Sequence, residues 1–223
     1  MPERLDFPVG DKVNGQIVQI GQALNPVQIR GAGLPVPMMD FLWLASYNGW
    51  IYTSGDADQN DTVTGQTSFA DTTPTFLLDV PAGTNVIPLF ANLVQTGTVA
   101  GGDIELLIEI DKVKRYASGG TSEKIFNTRN KVSRCALYSG ATAVTGYGMT
   151  LNRYDLGPDV SAAEGAVQGP FWKPDAPYIL RGSASLLVYS SAGTTGPTWH
   201  WGFGWIEMSD AEMDRMFGPY FAE

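Results

Sequence analysis

The single histidine of the chain, His200, is the first residue to consider for chemistry, because a Ser-His-Asp hydrolase would have to use it as the general base. No GxSxG segment, the motif that presents the nucleophile of an α/β-hydrolase, occurs anywhere in the sequence. His200 also lies within a strand-like segment, where its side chain points away from the neighbouring tryptophans. We therefore predict a structural or interface role for His200, assign no catalytic residue and expect no enzymatic activity.

Aromatic residues alternate along that segment, which reads WHWGFGW. Because successive side chains of a strand point to opposite faces, one face carries four rings, those of Trp199, Trp201, Phe203 and Trp205. Exposed, these rings would form a platform on which a sugar could stack, and buried, they would form the core of a sandwich. We favour the core, because an exposed patch of this size is rare on a soluble protein. The glycines of the opposite face, Gly202 and Gly204, indicate close approach by another backbone, such as that of a neighbouring subunit.

The acidic loop from Asp56 to Asp61, DADQND, has some features of a calcium-binding loop. An EF-hand would require glycine at its sixth position and glutamate at its twelfth, where this chain has Asp61 and Thr67. A solvated acidic loop is the expected state, and weak calcium binding there is left open. No phosphate-binding, dinucleotide-binding or zinc-binding motif is present, so we predict no cofactor and no structural metal.

Basic residues are concentrated between positions 112 and 134, which hold seven of the 14 in the chain. They are Lys112, Lys114, Arg115, Lys124, Arg129, Lys131 and Arg134. One interpretation is electrostatic docking onto an acidic partner or onto an acidic face of a sister subunit. The other is a solvated sheet edge on which lysines block further strand pairing. Both interpretations remain open. The candidates for an interface with a partner protein or a sister subunit are Lys112, Lys114, Arg115, Arg129, Lys131 and Arg134, together with His200.

The elements that must position these residues are mostly strands. The segment DIELLIEID alternates, which places Ile104, Leu106, Ile108 and Ile110 on a buried face, and Glu105 and Glu109 on an exposed one. Strand-like segments recur every 8–12 residues or so with turn residues between them, a pattern typical of an all-β sandwich or barrel. The apolar run at 39–46 is predicted to be a strand, joined to the next strand by a hairpin at Asn48–Gly49.

We predict three regions along the chain. Residues 1–40 hold five prolines and form an extended N-terminal arm or outer strands. As an arm, the segment would contact its own sandwich or a neighbouring protein through apolar residues that include Val9, Val13 and Ile17. The alternative is that it supplies the first strands of its own sheet. Residues 41–208 form an antiparallel β-sandwich. Residues 209–223 form a short C-terminal helix and tail, since Ser209 and Glu212 make a capping box and Gly218–Pro219 is a stop signal.

Composition excludes several classes of function. The formal charge of −9 makes nucleic acid an improbable partner, because binding to phosphates needs a basic surface. No apolar run approaches the roughly 20 residues of a membrane-spanning helix, so no membrane partner is expected. No signal-peptide core is present at the N-terminus, and the single cysteine excludes an intrachain disulfide.

Three segments of the sequence resemble the jelly-roll capsid decoration, or cement, proteins of tailed bacteriophages. They are TPTFLLDVPAGTNVIPLF, GGDIELLIEID and ASLLVYSSAGTTGPTWHWGFGWIEM. The resemblance covers about residues 65–208 and implies a sandwich of jelly-roll type. It also implies a non-enzymatic virion protein on the outer capsid surface, made in the host cytoplasm, that binds the major capsid protein and bridges its neighbouring copies. A homo-oligomer is expected, with a trimer favoured over a dimer. The alternatives are a carbohydrate- or receptor-binding module of a phage fibre or tail, and, more weakly, a β-sandwich hydrolase.

Overall fold

A computed structural model describes residues 38–56, 61–96, 103–146, 148–158, 168–174, 177–193 and 196–221 of the 223-residue chain. The described chain consists mostly of antiparallel β-strands, with a helix before the first strand and another after the last. In order, the elements are α1 (Met38–Asn48), β1 (Ile51–Gly55), β2 (Val63–Thr64), β3 (Phe76–Val80), β4 (Thr84–Thr96), β5 (Asp103–Asp111), β6 (Tyr116–Ser118), β7 (Thr121–Ser122), β8 (Ile125–Asn127), β9 (Ala136–Ser139), β10 (Thr142–Ala143), β11 (Met149–Pro158), β12 (Gln168–Trp172), β13 (Leu180–Arg181), β14 (Ala184–Ser191), β15 (Thr198–Ser209) and α2 (Asp210–Phe221).

Two large sheets contain most of these strands. Sheet 1 has the order β12-β4-β15-β1-β8, with β13 paired to β4 and β2 paired to β15. Sheet 2 has the order β11-β5-β14-β3-β9-β7, and β6 and β10 form a separate two-stranded ribbon. All of these named strand pairs are antiparallel, which confirms the prediction of an antiparallel all-β fold class. Most of the predicted arm, with Val9, Val13 and Ile17, lies outside the described residues.

The two sheets face each other across one apolar core. The predicted aromatic face of β15 is buried there, with Trp199, Trp201 and Trp205 each no more than 5% exposed. Phe76 of sheet 2 packs against two of these rings, at 5.0 Å from Trp201 and 5.0 Å from Phe203 between centroids. The interpretation of these rings as core is therefore confirmed, and a sandwich is the arrangement that buries them.

Each sheet is also covered on its outer side. Helices α1 and α2 pack on one end of sheet 1, where Ala45 and Met213 meet Ile206 of β15 in a second apolar cluster. The ribbon β6–β10 packs on sheet 2, where Ala143 meets Leu187 of β14. None of the helices among the described residues is both long and apolar enough to cross a bilayer.

The strand predicted at 39–46 is wrong, because this segment belongs to α1. The Asn48–Gly49 pair ends the helix instead of turning a hairpin. Gly49 has φ +65°, Trp50 N–H donates to Ala45 O at 2.9 Å, and Gly49 N–H donates to Ser46 O at 3.0 Å. These two bonds form a Schellman motif, which requires the same left-handed glycine conformation as a hairpin turn.

All four residues predicted to face inward on β5 do so, and three of them are buried as predicted. Ile104, Leu106 and Ile108 are buried, whereas Ile110 is half-buried. The prediction that Glu109 is exposed is wrong: Glu109 is 6% exposed and accepts a hydrogen bond from Thr150 Oγ1 at 3.0 Å. Because β5 lies between β11 and β14, neighbouring strands cover both of its edges.

The C-terminal helix begins as predicted. Ser209 N–H and Ser209 Oγ each donate to Glu212 Oε2 at 2.8 Å, and Glu212 N–H donates back to Ser209 Oγ at 3.2 Å, which is a capping box. The predicted stop at Gly218–Pro219 is wrong, since α2 extends to Phe221.

Candidate interaction surfaces

The structure places members of the basic cluster on opposite outer sides of the sandwich. Lys114 lies on sheet 2, where its Nζ is 3.1 Å from Asp79 Oδ2. Arg129 and Lys131 lie beside α1 on the sheet 1 side, and Lys112 and Arg134 are exposed. Proximity in sequence therefore does not produce a single basic patch.

Arg115 must be removed from the candidate interface residues, because it is buried at 2% exposure. Its Nε donates to Val144 O at 2.6 Å, and its Nη1 lies 3.1 Å from Asp111 Oδ2. The guanidinium thus joins the chain around the ribbon to the end of β5. The sequence does not predict this burial, because a cluster of basic residues does not indicate which of them has its partners inside the protein.

An aromatic patch on α1 is exposed on the sheet 1 side. Trp43 and Tyr47 are 72% and 52% exposed, and they share one face of the helix because they are four residues apart. The Arg129 guanidinium carbon lies 5.3 Å from the centre of the Tyr47 ring, in cation–π range. We call these three residues the helix patch. The sequence analysis missed this patch because it predicted a strand at 39–46. The helical spacing of Phe41 and Ala45, which lie on the buried side, is the signal that could have identified it.

A basic edge lies next to the helix patch. The connections from β7 to β8 and from β8 to β9 carry Lys124, Lys131 and Arg134, all exposed. Lys131 Nζ donates to Asn48 O at 2.6 Å, at the carboxyl end of α1, where the helix dipole favours a positive charge. We call these three residues the basic edge.

Beside the basic edge is an open cleft of about 350 Å³, lined by both aromatic and charged residues. Its two carboxylates already have internal donors. Glu207 accepts from Ser133 Oγ at 2.5 Å and from Arg134 N–H at 2.7 Å, and Glu212 accepts from Trp50 Nε1 at 3.0 Å. Lys131 and Arg134 line the same cleft, so its lining holds both acidic and basic side chains.

The electrostatics of the cleft follow from these bonds. Burial opposes ionisation of Glu212, but hydrogen bonds from the Ser209 backbone and hydroxyl and from the Trp50 indole outweigh it, so the pKa of Glu212 is lowered. Burial raises the pKa of the Cys135 thiol well above its ordinary value, and the nearby Glu207 carboxylate raises it further. Cys135 is therefore a protonated, structural thiol at neutral pH.

His200 lies on the outer face of sheet 1, opposite to the tryptophans, as the alternation predicted. Its Nδ1 is 2.6 Å from Asp56 Oδ2, and both side chains are about a quarter exposed. Gly202 is open, since a Cβ built on it would have no atom within 4 Å, whereas the ring of Phe90 covers Gly204. The close approach expected at these glycines thus comes, at Gly204, from a side chain of the same sheet.

Acidic residues are placed at the opposite edge of the sandwich. Asp103, Glu105 and Asp155 lie on the outer face of β5 and β11, where Asp155 is directly opposite Glu105 in the ladder. Arg153 lies beside these carboxylates, and its Nη2 is 2.7 Å from Glu105 Oε1. We call the three carboxylates the acidic edge.

No group of metal-ligating side chains that could hold an ion is found among the described residues. Of the predicted acidic loop, Asp56 and Asp61 are described and residues 57–60 lie outside the description. The possibility of weak calcium binding there thus stays a prediction.

Comparison with known proteins gives no match: no family model matches the sequence, no curated protein is similar to it, and no solved structure matches its fold. The surfaces described above are the basis on which we propose a function.

Proposed function

We propose that this chain is a structural virion protein that binds the outside of a phage capsid and stabilises it by bridging neighbouring major capsid subunits. The observation that carries the proposal is the helix patch. Tryptophan, tyrosine and arginine are the residue types that dominate binding energy at protein interfaces. All three types occur here at one exposed site, where Arg129 contacts the Tyr47 ring and Trp43 lies one helical turn away. The jelly-roll topology, the outer capsid location and the homo-oligomeric state belong to the same proposal.

The geometry of the patch suits a protein partner better than a small ligand. Arg129 is already stacked on Tyr47, so less side-chain freedom is lost when a partner covers both. Trp43 stands 72% exposed on a regular helix whose opposite face is fixed in the second apolar cluster. A helix that is packed on one face and carries exposed aromatic residues on the other can dock against the wall of a protein shell.

Stabilisation of the shell then follows from mass action. A protein that binds the assembled shell better than its separate subunits stabilises the assembled state by the free energy of binding. Each individual contact can be weak, because a protein with several linked contacts binds a repeating lattice with high avidity. No catalytic step is required of any residue in this mechanism.

The alternative of a carbohydrate-binding module depended on exposed tryptophans in β15. Trp199, Trp201 and Trp205 are buried between the sheets, so a sugar cannot reach their rings. That interpretation loses its main support, and the described surface supplies no comparable row of rings in its place.

The decisive experiment is co-sedimentation of the purified protein with capsids that lack it. We expect saturable binding, and we expect Trp43→Ala to weaken it about 30-fold, the equivalent of about 2 kcal/mol for a hot-spot residue. Val144→Ala is the matched control, since Val144 is 51% exposed on the ribbon at the opposite outer side. Equal binding by all three proteins would refute the role of the helix patch, and no sedimentation of the wild-type protein would refute the proposed function.

A further inference from the structure

The open cleft of about 350 Å³ beside the basic edge contains a buried hydroxyl that the fold leaves without a partner. The Tyr52 side chain lines this cleft, is 5% exposed, and stacks on Trp205 at 6.4 Å between ring centroids. Among the described residues, none makes a hydrogen bond with the Tyr52 hydroxyl. Burial, and then the carboxylates of Glu207 and Glu212, raise the pKa of Tyr52 to about 12, so the hydroxyl stays protonated at neutral pH. Because buried polar groups are normally hydrogen-bonded, this hydroxyl is available to a ligand in the cleft.

The two carboxylates of the cleft also keep unused acceptor positions. Glu207 accepts one hydrogen bond on each oxygen, while Glu212 accepts one on Oε1 and two on Oε2, both from Ser209. Since a carboxylate oxygen has two lone pairs, three of these four oxygens can each accept one bond more. Glu207 is 5% exposed and Glu212 is half-buried, so these acceptors lie in the inner part of the cleft. Together with the Tyr52 hydroxyl they suit a group with several N–H donors, such as an ammonium.

The cations of the cleft lie at its mouth. Lys131 and Arg134 line the cleft, and both side chains are exposed. Within the described part of the chain, none of the four charged side chains of the cleft belongs to an ion pair within 4.0 Å. Opposite charges therefore line one cleft with a gap between them. A lone cation would meet the two basic residues, and a lone anion would meet the two carboxylates, whereas a ligand that carries both charges would complement both groups.

We propose that this cleft binds a small zwitterion, an amino acid whose ammonium lies among the Tyr52 hydroxyl and the two carboxylates and whose carboxylate lies at the two basic residues of the mouth. The volume of the cleft is at the small end of the range for small-molecule sites, roughly 300–1,000 Å³. This inference goes beyond the proposed function and does not depend on it, because it can be tested without capsids.

The inner wall of the cleft is fixed before any ligand binds. Trp50 Nε1 donates to Glu212 Oε1 at 3.0 Å, and Ser133 Oγ donates to Glu207 Oε2 at 2.5 Å. Both carboxylates are thus held in place by groups of the same chain, so little side-chain freedom is lost when an ammonium reaches them.

Calorimetric titration of the full chain with three probes of equal chain length tests the proposal. The probe 6-aminohexanoate carries both charges, hexylamine carries the cation alone, and hexanoate carries the anion alone. We expect 6-aminohexanoate to bind with a Kd of about 1 mM or below, and each singly charged probe to bind more than about tenfold more weakly. Absence of 6-aminohexanoate binding at about 20 mM, or a singly charged probe that binds within about tenfold of it, would overturn the inference.

Two variants locate the site. Tyr52→Phe removes the hydroxyl and keeps the ring, so it should weaken 6-aminohexanoate about tenfold, and the urea midpoint should not fall, because the hydroxyl has no internal partner. Arg134→Gln should weaken 6-aminohexanoate about tenfold without weakening hexylamine, because it removes only a cation of the mouth. Arg215→Gln, at an exposed position of α2 outside the cleft, is the matched control. Unchanged affinity for 6-aminohexanoate in either variant, or an equal loss in the control, would also overturn the inference.

Discussion

Arg115 provides the sharpest test of how this fold is stabilised. We predict that Arg115→Met lowers the free energy of unfolding by about 3–5 kcal/mol, because it leaves buried partners without their donor. The guanidinium makes two strong contacts, to Val144 O at 2.6 Å and to Asp111 Oδ2 at 3.1 Å. Hydrogen bonds to charged groups contribute about 1.5–3 kcal/mol each, so the two contacts account for the whole range. The longer contact, to Asp71 O at 3.4 Å, adds little.

Lys114, the preceding residue, is the matched control. Its ammonium also pairs with a carboxylate at 3.1 Å, that of Asp79, but the lysine side chain is 54% exposed. An ion pair in contact with water contributes about 0–1 kcal/mol, so Lys114→Met should leave stability nearly unchanged. The two substitutions remove one positive charge each from adjacent positions and differ mainly in burial.

Urea unfolding followed by circular dichroism measures both effects. With a slope of about 2 kcal/mol per molar urea, Arg115→Met should move the midpoint down by about 2 M, and Lys114→Met by less than about 0.5 M. Added salt should change the first effect little, because a buried pair is poorly screened. Similar midpoints for the two variants would show that burial does not set the contribution of Arg115 and would refute the reasoning.

Two further predictions concern the core and the helix cap. Leu106→Ala should lower the free energy of unfolding, measured in urea, by about 2–5 kcal/mol, because Leu106 is fully buried. Val113→Ala is the control and should lower it little, because Val113 is 57% exposed. Equal effects of the two substitutions would contradict the assignment of the faces of β5. Because the pKa of Glu212 is lowered in the folded protein, its contribution to stability is present above pH 4.5 and is lost as the pH falls through its folded pKa. The wild-type protein should therefore lose more stability between about pH 6 and pH 3 than the Glu212→Gln variant does. Asp214→Asn, at an exposed position of the same helix, is the control, and an unchanged pH profile in Glu212→Gln would contradict the capping role.

Local patterns predicted those parts of the fold that depend on neighbours in sequence. The alternation of β15 correctly placed Trp201 in the core and His200 on the outer face, because period two is a property of any strand. The capping box of α2 was equally local, since Ser209 and Glu212 are three residues apart.

Predictions from local sequence patterns were wrong where residues distant in sequence determine burial or secondary structure. Glu109 is buried because β11 supplies Thr150 41 residues later, and Arg115 is buried because Val144 reaches it from the ribbon. The segment at 39–46 is apolar enough for either a strand or a helix, and packing against α2 decides for the helix: Phe41 meets Phe217 edge to face at 5.6 Å. The helix patch was missed with it, because its exposure exists only once that helix forms.

The burial of the tryptophans gives this protein an internal optical reporter. Of the six indoles, those at positions 50, 172, 199, 201 and 205 are at most 5% exposed, whereas Trp43 is 72% exposed. A soluble quencher such as acrylamide or iodide should therefore reach a single fluorophore, whose emission lies at longer wavelength than that of the rest. Anything that covers the outer face of α1 should shield that red-shifted fraction and leave the remaining emission unchanged. Docking at the helix patch can thus be followed on the unlabelled wild-type chain.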